Sequence, residues 1–160
     1  MSYKLSDIGD ILLIFDPFES DLPTRGLSPW KEIAQMGFAH VLATVVDDHW
    51  RGFPLTTYED DHWQLWILGE FYGEKPDLPK ALETRADLNG HYLILAYEKP
   101  VHHWHILTDR FGTLHAYLGK QGSRTALGTF SPAVAAAAEI NALDWRALAG
   151  FFTFGFFLGD

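Results

Sequence analysis

Apolar residues fall along most of this chain in short runs bounded by glycine, proline or charged turn residues, rather than at helical spacing. Asp10-Ile-Leu-Leu-Ile-Phe15 is the first such run, and it ends at Asp16-Pro17, as a buried strand does. Comparable runs cover Ala39 to Val46, Phe53 to Tyr58, Trp63 to Leu68, Tyr92 to Tyr97, Trp104 to Thr108, Leu114 to Leu118 and Thr125 to Thr129. Their regular spacing predicts antiparallel meanders. Asp109-Arg-Phe-Gly112 reads as a turn between two of them.

Three segments carry helix signals. Ser28 to Met36 has Ser28 as N-cap, Pro29 at the first helical position and Gly37 just past the end. Ser131-Pro132 opens a second helix, which runs through an alanine-rich stretch to Ala138. Asp144 caps a third, Trp145 to Ala149, ended by Gly150. Strands with separate helices predict an α+β fold in one domain over residues 1–160, with two stacked sheets and helices outside. The terminal run Phe151 to Leu158 is apolar enough to need a cover.

Composition narrows the function classes. Apolar residues make up 48% and charged residues 21%, which suits a folded chain. A net charge of −9 argues against nucleic acid and anionic membrane as partners, since both select basic surfaces. The apolar runs are too short to span a bilayer, and the N-terminus lacks a basic stretch followed by an apolar one. A cytoplasmic location is therefore expected. The chain has no cysteine, which removes a disulfide framework, a thiolate metal site and a cysteine nucleophile together.

Several segments resemble, in order, the N-terminal glutaminase domain of the asparagine synthetase family. Leu88-Asn-Gly-His-Tyr-Leu-Ile-Leu-Ala-Tyr97 is similar to the family's "LNGMFAFALYD" strand, and Ile106-Leu-Thr-Asp-Arg-Phe-Gly112 to its "ARDRFG" turn. Leu114-His-Ala-Tyr117 follows as "KPLYY" does, and Gly69-Glu-Phe-Tyr72 resembles the core of "NGEIYN". Ala39-His40 matches the "AHxRLS" strand, and Pro54 falls where "QPL" would. Leu143-Asp-Trp-Arg-Ala-Leu-Ala-Gly-Phe-Phe152 is similar to "LDPEALAEYL", and Phe154-Gly155 to "LGYVP". The resemblance implies an N-terminal-nucleophile (Ntn) fold, an αββα sandwich of two antiparallel sheets with flanking helices. The family domain continues past Asp160, so the resemblance also implies that this fold is C-terminally incomplete or completed by a partner.

The same resemblance implies that glutamine hydrolysis is lost. The family's nucleophile is an N-terminal cysteine whose own amine is the base; aligning Ile11–Phe15 with "GIAGIF" puts Gly9 there. Its oxyanion hole uses the Asn and Gly of "NGE"; Leu68 replaces the Asn and Gly69 is retained. The arginine of "HxRLS", which holds the substrate carboxylate, corresponds to Leu42. The stretch between Gly73 and Leu88 is short and carries no "SDxE" aspartate, and the "RGPD" loop is missing.

Other candidates divide between chemistry and ordinary structure. Ser2 is an alternative nucleophile if Met1 is removed, but it lies well upstream of the first expected strand. In His102-His103-Trp104-His105, His103 and His105 share one strand face, as metal ligands can; a solvated strand edge is the plainer reading. Asp109-Arg110 reads as a turn with Asp109 capping amides, and Glu59-Asp60-Asp61 as a charged hairpin tip. Ser20, Ser28 and His40 show no triad arrangement.

The resulting expectation is a catalytically silent glutaminase-like domain, acting as scaffold or partner of an ATP-dependent amide-forming ligase. β-Lactam synthetases and lasso-peptide cyclases are relatives with such dead sites. No "SGGxDS" pyrophosphate loop occurs, so ATP and Mg²⁺ are expected only in a synthetase domain or subunit; no cofactor or metal is called for in this chain. Self-association through the apolar C-terminus is the other partner expected. The alternatives are a free-standing Ntn amidohydrolase using Ser2, or a module binding a small molecule or peptide in the old glutamine cleft.

Overall fold

Alternating side-chain direction lets one strand feed two apolar layers, and β1 (Lys4–Phe15) does so. Ile11 and Leu13 point to one layer; Leu12 and Ile14 point to another. The structure is a computed structural model, and it describes residues 4–19, 27, 30–45, 53–84 and 88–142.

Among the described residues eight further strands follow β1. They are β2 (Lys31–Met36), β3 (Ala39–Val45), β4 (Phe53–Glu59), β5 (Trp63–Phe71), β6 (Gly90–Glu98), β7 (His103–Thr108), β8 (Tyr117–Gln121) and β9 (Arg124–Gly128). Every pairing is antiparallel, and the hydrogen-bonded network forks at β1. Residues from Ile8 to Phe15 pair with β3; on the other edge, Lys4 to Ile8 pair with β4 and Leu12 to Phe15 with β9. The fork produces two antiparallel sheets, β2-β3-β1-β9-β8 and β4-β5-β6-β7.

The central core lies between them. Ile11, Leu13 and Val41 from the first sheet pack with Leu55, Trp66, Leu68, Leu93 and Leu95 from the second. The opposite face of the first sheet, with Leu12, Ile14, Leu42 and Ala126, lies under α2 (Ser131–Ala137). The opposite face of the second, with Leu65, Ile67 and Ile94, packs with Leu78 of α1 (Leu78–Thr84). Burial on both faces explains why β1, β5 and β6 read as continuous apolar runs. Among the described residues no helix is long and apolar enough to cross a membrane.

This architecture corrects the expected fold class. The chain is mostly β, and its two described helices have seven residues each, so it is not an α+β αββα sandwich with flanking helices. The main reason is the segment read as a helix over Ser28 to Met36. Its described part forms β2, which pairs from Lys31↔Ala43 to Met36↔Ala39 across a tight turn at Gly37 (φ 62°). Ile33, Ala34 and Met36 pack against the inter-sheet core. Cross-strand pairing and that burial outweigh the helix signals, whose intrinsic worth is a few tenths of a kcal/mol per residue, about 0.7 at most.

Two smaller differences have local causes. The strand expected from Leu114 begins only at Tyr117, because Leu114 is drawn into the core behind the Asp109 turn. Helix α1 escapes the period-based reading; its marker is Asp77, whose Oδ1 accepts from the Lys80 amide at 3.3 Å. The expected helix at Trp145 to Ala149 and the apolar run Phe151 to Leu158 lie outside the described residues.

Leu93 is fully buried between the sheets, whereas Phe111 is 87% exposed on a turn. Urea titration of Leu93→Ala is expected to show a loss of about 3 kcal/mol, against roughly 0.5 or less for Phe111→Ala. Similar losses for both would contradict the packing described.

Candidate functional site

Gly9 lies where β1 changes register, between Ile8 and Asp10. Leu68 approaches from β5, and both line a cavity of about 250 Å³ together with Asp10, Thr113, His115 and Thr129. The positions aligned with the family's nucleophile and oxyanion asparagine therefore meet at one cavity. Gly69 and Leu42 do not join them. Gly69 lines a different cavity, with Pro54, Glu70 and Lys75, and its φ of 110° against the His91 carbonyl suits only glycine. Leu42 is buried on the far side of the first sheet, beneath α2. Ser2, Ser20 and Ser28 lie outside the described residues.

The polar groups of the cavity are tied into the backbone. Thr129 Oγ1 donates to Asp10 Oδ1 at 2.7 Å and accepts from the Ile11 amide at 3.1 Å. The Asp10 amide in turn donates to Thr44 Oγ1 at 3.0 Å. This places the Thr129 hydroxyl as a bridge between β1 and the end of β9, with its proton on a carboxylate and its oxygen occupied. His115 Nδ1 lies 3.0 Å from the Gly112 carbonyl, and its ring meets Tyr117 edge-on. Thr113 Oγ1 donates to Asp109 Oδ1 at 3.0 Å. Both threonine hydroxyls therefore brace turns and strand ends.

Asp109 organises the turn beside this cavity. Its carboxylate accepts from the Phe111 amide at 3.0 Å and from the Thr113 amide at 3.0 and 3.2 Å. Burial opposes the charged form, but those amide bonds outweigh it and hold the carboxyl below its ordinary value. Asp60 caps the β4–β5 turn in the same way, accepting from the His62 and Trp63 amides and from the Tyr58 hydroxyl. There too burial is outweighed, first by the Tyr58 bond, and the carboxyl is lowered. Lys99 Nζ bonds Glu59 at 2.9 Å and the Asp60 carbonyl at 2.6 Å.

Two histidines meet on one carboxylate, and a third turns to a tyrosine. His105 Nε2 and His62 Nε2 each lie 3.0 Å from a Glu98 oxygen, while His102 Nδ1 lies 2.6 Å from the Tyr97 hydroxyl. The His105 bond holds the Glu98 carboxyl down against a smaller effect of burial, with His62 adding to it. Among the described residues no group of three or more His, Cys, Asp or Glu is arranged to hold a metal ion. Buried His40 has only Glu32, 3.5 Å from Nδ1.

Arg124 is the one buried guanidinium among the described residues, and sequence reading missed it. Arg124 Nε donates to Asp16 Oδ2 at 3.1 Å, and Nη2 bonds Glu19. Nη1 sits 2.7 Å from Glu139 but out of line for a hydrogen bond. Burial disfavours the charge, and the Asp16 and Glu139 carboxylates more than restore it. Asp16 is lowered chiefly by the Phe18 amide, then by Arg124 against burial. The local signal was Asp16-Pro17 at the end of an apolar run; Asp16 and Glu19 lie more than a hundred residues from Arg124 in sequence, and Glu139 lies beyond α2.

With this geometry in place, the chain matches no protein-family model, no curated protein and no solved structure.

Asp109→Ala removes the acceptor for two amides and is expected to cost about 1–2 kcal/mol. The folded carboxyl titrates below its ordinary value of 3.8. Its contribution is therefore present above that pH and is lost as pH falls through the folded value. Denaturant titrations at neutral pH and in acid should show the gap between wild type and variant closing at low pH. A gap unchanged down to about pH 2 would refute the assignment.

Proposed function

We propose that the chain is a catalytically silent glutaminase-like domain, serving as scaffold or partner for an ATP-dependent amide-forming ligase of the asparagine-synthetase kind. One observation carries the reading. Four polar side chains that line the cavity shared by Gly9 and Leu68 are engaged in structural bonds: Asp10 and Thr129 with each other, Thr113 with Asp109, His115 with a turn carbonyl.

Hydrolysis of glutamine needs an activated nucleophile and donors aimed at a developing oxyanion. Glycine supplies no nucleophile at position 9, and leucine no donor at position 68. Leu42, aligned with the carboxylate-holding arginine, faces α2 rather than the cavity. The motif-bearing segments support the same reading, because "GEFY" ends β5, the "LNG" strand is β6 and the "DRFG" turn follows β7. In this role ATP and Mg²⁺ belong to the synthetase partner. The net charge of −9 and the lack of cysteine are in keeping with a cytoplasmic protein.

The test is ammonia release from glutamine by purified chain whose N-terminal residue has been identified by mass. No release above a blank is expected, together with co-elution of the chain with an asparagine-synthetase-like ligase subunit on co-expression. Clear release that disappears in Ser2→Ala would overturn the proposal and identify a working amidohydrolase.

A further inference from the structure

The inter-sheet core opens at a second place, away from Gly9. A groove of about 330 Å³ lies between β7, at the edge of one sheet, and β8, at the edge of the other. Leu13, Phe15, Trp104, Ile106, Leu118 and Leu127 form its walls. Phe15, Ile106 and Leu118 remain exposed there, Leu118 at 70%. The volume lies at the small end of ordinary ligand pockets, enough for a two-ring molecule.

An aromatic ladder runs along one wall. Trp66 stacks on Trp104 at 5.6 Å, Trp104 meets Tyr97 at 5.1 Å, and Tyr97 meets His102 at 6.1 Å. Trp104 is the rung that also lines the groove, so it offers a ring face to a planar guest. His102 sits at the rim with φ of 56°, a left-handed backbone conformation that is strained for a non-glycine residue. The 2.6 Å bond to the Tyr97 hydroxyl holds it in place. When that hydroxyl donates to Nδ1, the neutral ring carries its proton on Nε2 and presents a donor. Thr125 adds a hydroxyl and His103 a second imidazole, and among the described residues no Asp, Glu, Lys or Arg lines the groove.

We infer that this groove binds a planar aromatic carboxylate, its rings against Trp104 and its carboxylate on the His102 ring. The apolar walls take the ring system, and the immobilised imidazole is the polar group that fixes its orientation. No described lining residue carries negative charge, so these walls do not repel an acid despite the overall −9. The site is independent of the Gly9–Leu68 cavity and does not rest on the silence of that cavity.

Titration with 2-naphthoate, followed by tryptophan fluorescence and calorimetry, tests the inference. One saturable site is expected, with Kd on the order of 100 μM. Naphthalene-2-carboxamide should bind more weakly, and both His102→Gln and Leu118→Glu should weaken naphthoate about tenfold, as loss of a charge-assisted bond and gain of a repelling carboxylate imply. Circular dichroism establishes that each variant is folded; Leu118→Glu changes an exposed side chain and keeps the test available if His102→Gln unfolds. No saturation at millimolar ligand, equal binding of the amide, or indifference to whichever variants fold would overturn the site. So would concentration-dependent self-association that Leu118→Glu relieves, since a second copy would then occupy the groove.

Discussion

Because β1 pairs with β3 along one edge and with both β4 and β9 along the other, its backbone hydrogen bonds hold the two sheets in one network. Buried N–H and C=O groups must be paired, so the strand can serve three neighbours only if its edge is divided cleanly. The register shift at Gly9 makes that division. Below it the backbone follows β4; beyond it Leu12 to Phe15 follow β9. Gly128 allows the second pairing, since a Cβ there would stand 2.6 Å from the Ile11 carbonyl oxygen. The two apolar layers on either side of β1 follow from the same strand. A one-residue slip would send Leu12 and Ile14 into the inter-sheet core and strip α2 of its floor.

Carboxylates close the turns around this framework. Asp16, Asp60 and Asp109 each accept backbone amides within three or four residues, and each is held more acidic than usual by doing so. A side chain used this way is a poor general base, because its lone pairs are committed and its proton affinity is reduced. The acidic balance of the chain thus reflects turn construction at these positions more than a field for steering ligands. The Asp10 carboxylate accepts from the Thr129 hydroxyl, which links the end of β9 back to β1.

What could be read from the sequence follows the range of the interaction. Runs buried on both faces, such as those of β5 and β6, were legible because burial alone dictates their composition. The turn at Asp109 was legible because its hydrogen bonds stay within four residues. β2 was not: the Ser28-Pro29 that precedes it in sequence and the Gly37 that follows carry the local chemistry of a helix, and only pairing with β3 decides otherwise. The direction of Leu42 was likewise hidden, since which face of β3 meets α2 depends on partners distant in the chain. Gly9 and Leu68 were named separately by alignment, and it took the fold to bring them to one cavity. Arg124 was not legible as a buried cation, because Asp16 and Glu19 are remote in the chain and Glu139 comes back to it only after helix α2.

The two openings of the inter-sheet core differ in what their walls have left to offer. At Gly9 the polar atoms bond one another, so a ligand entering there would have to displace internal bonds to gain its own, an exchange that returns little net free energy. Between β7 and β8 the walls are mostly apolar, and the rim histidine keeps one ring nitrogen beyond its bond to Tyr97. Burial of a flat ring there releases water at about 25 cal/mol per Å² without breaking an internal bond. Edge strands with free backbone groups ordinarily invite pairing with another chain, yet β7 is capped in sequence by His102 in its left-handed conformation, and β8 turns back at Gly122. Those short, interrupted edges limit strand addition, and they leave the groove itself, rather than its borders, as the surface with the most to gain from a guest.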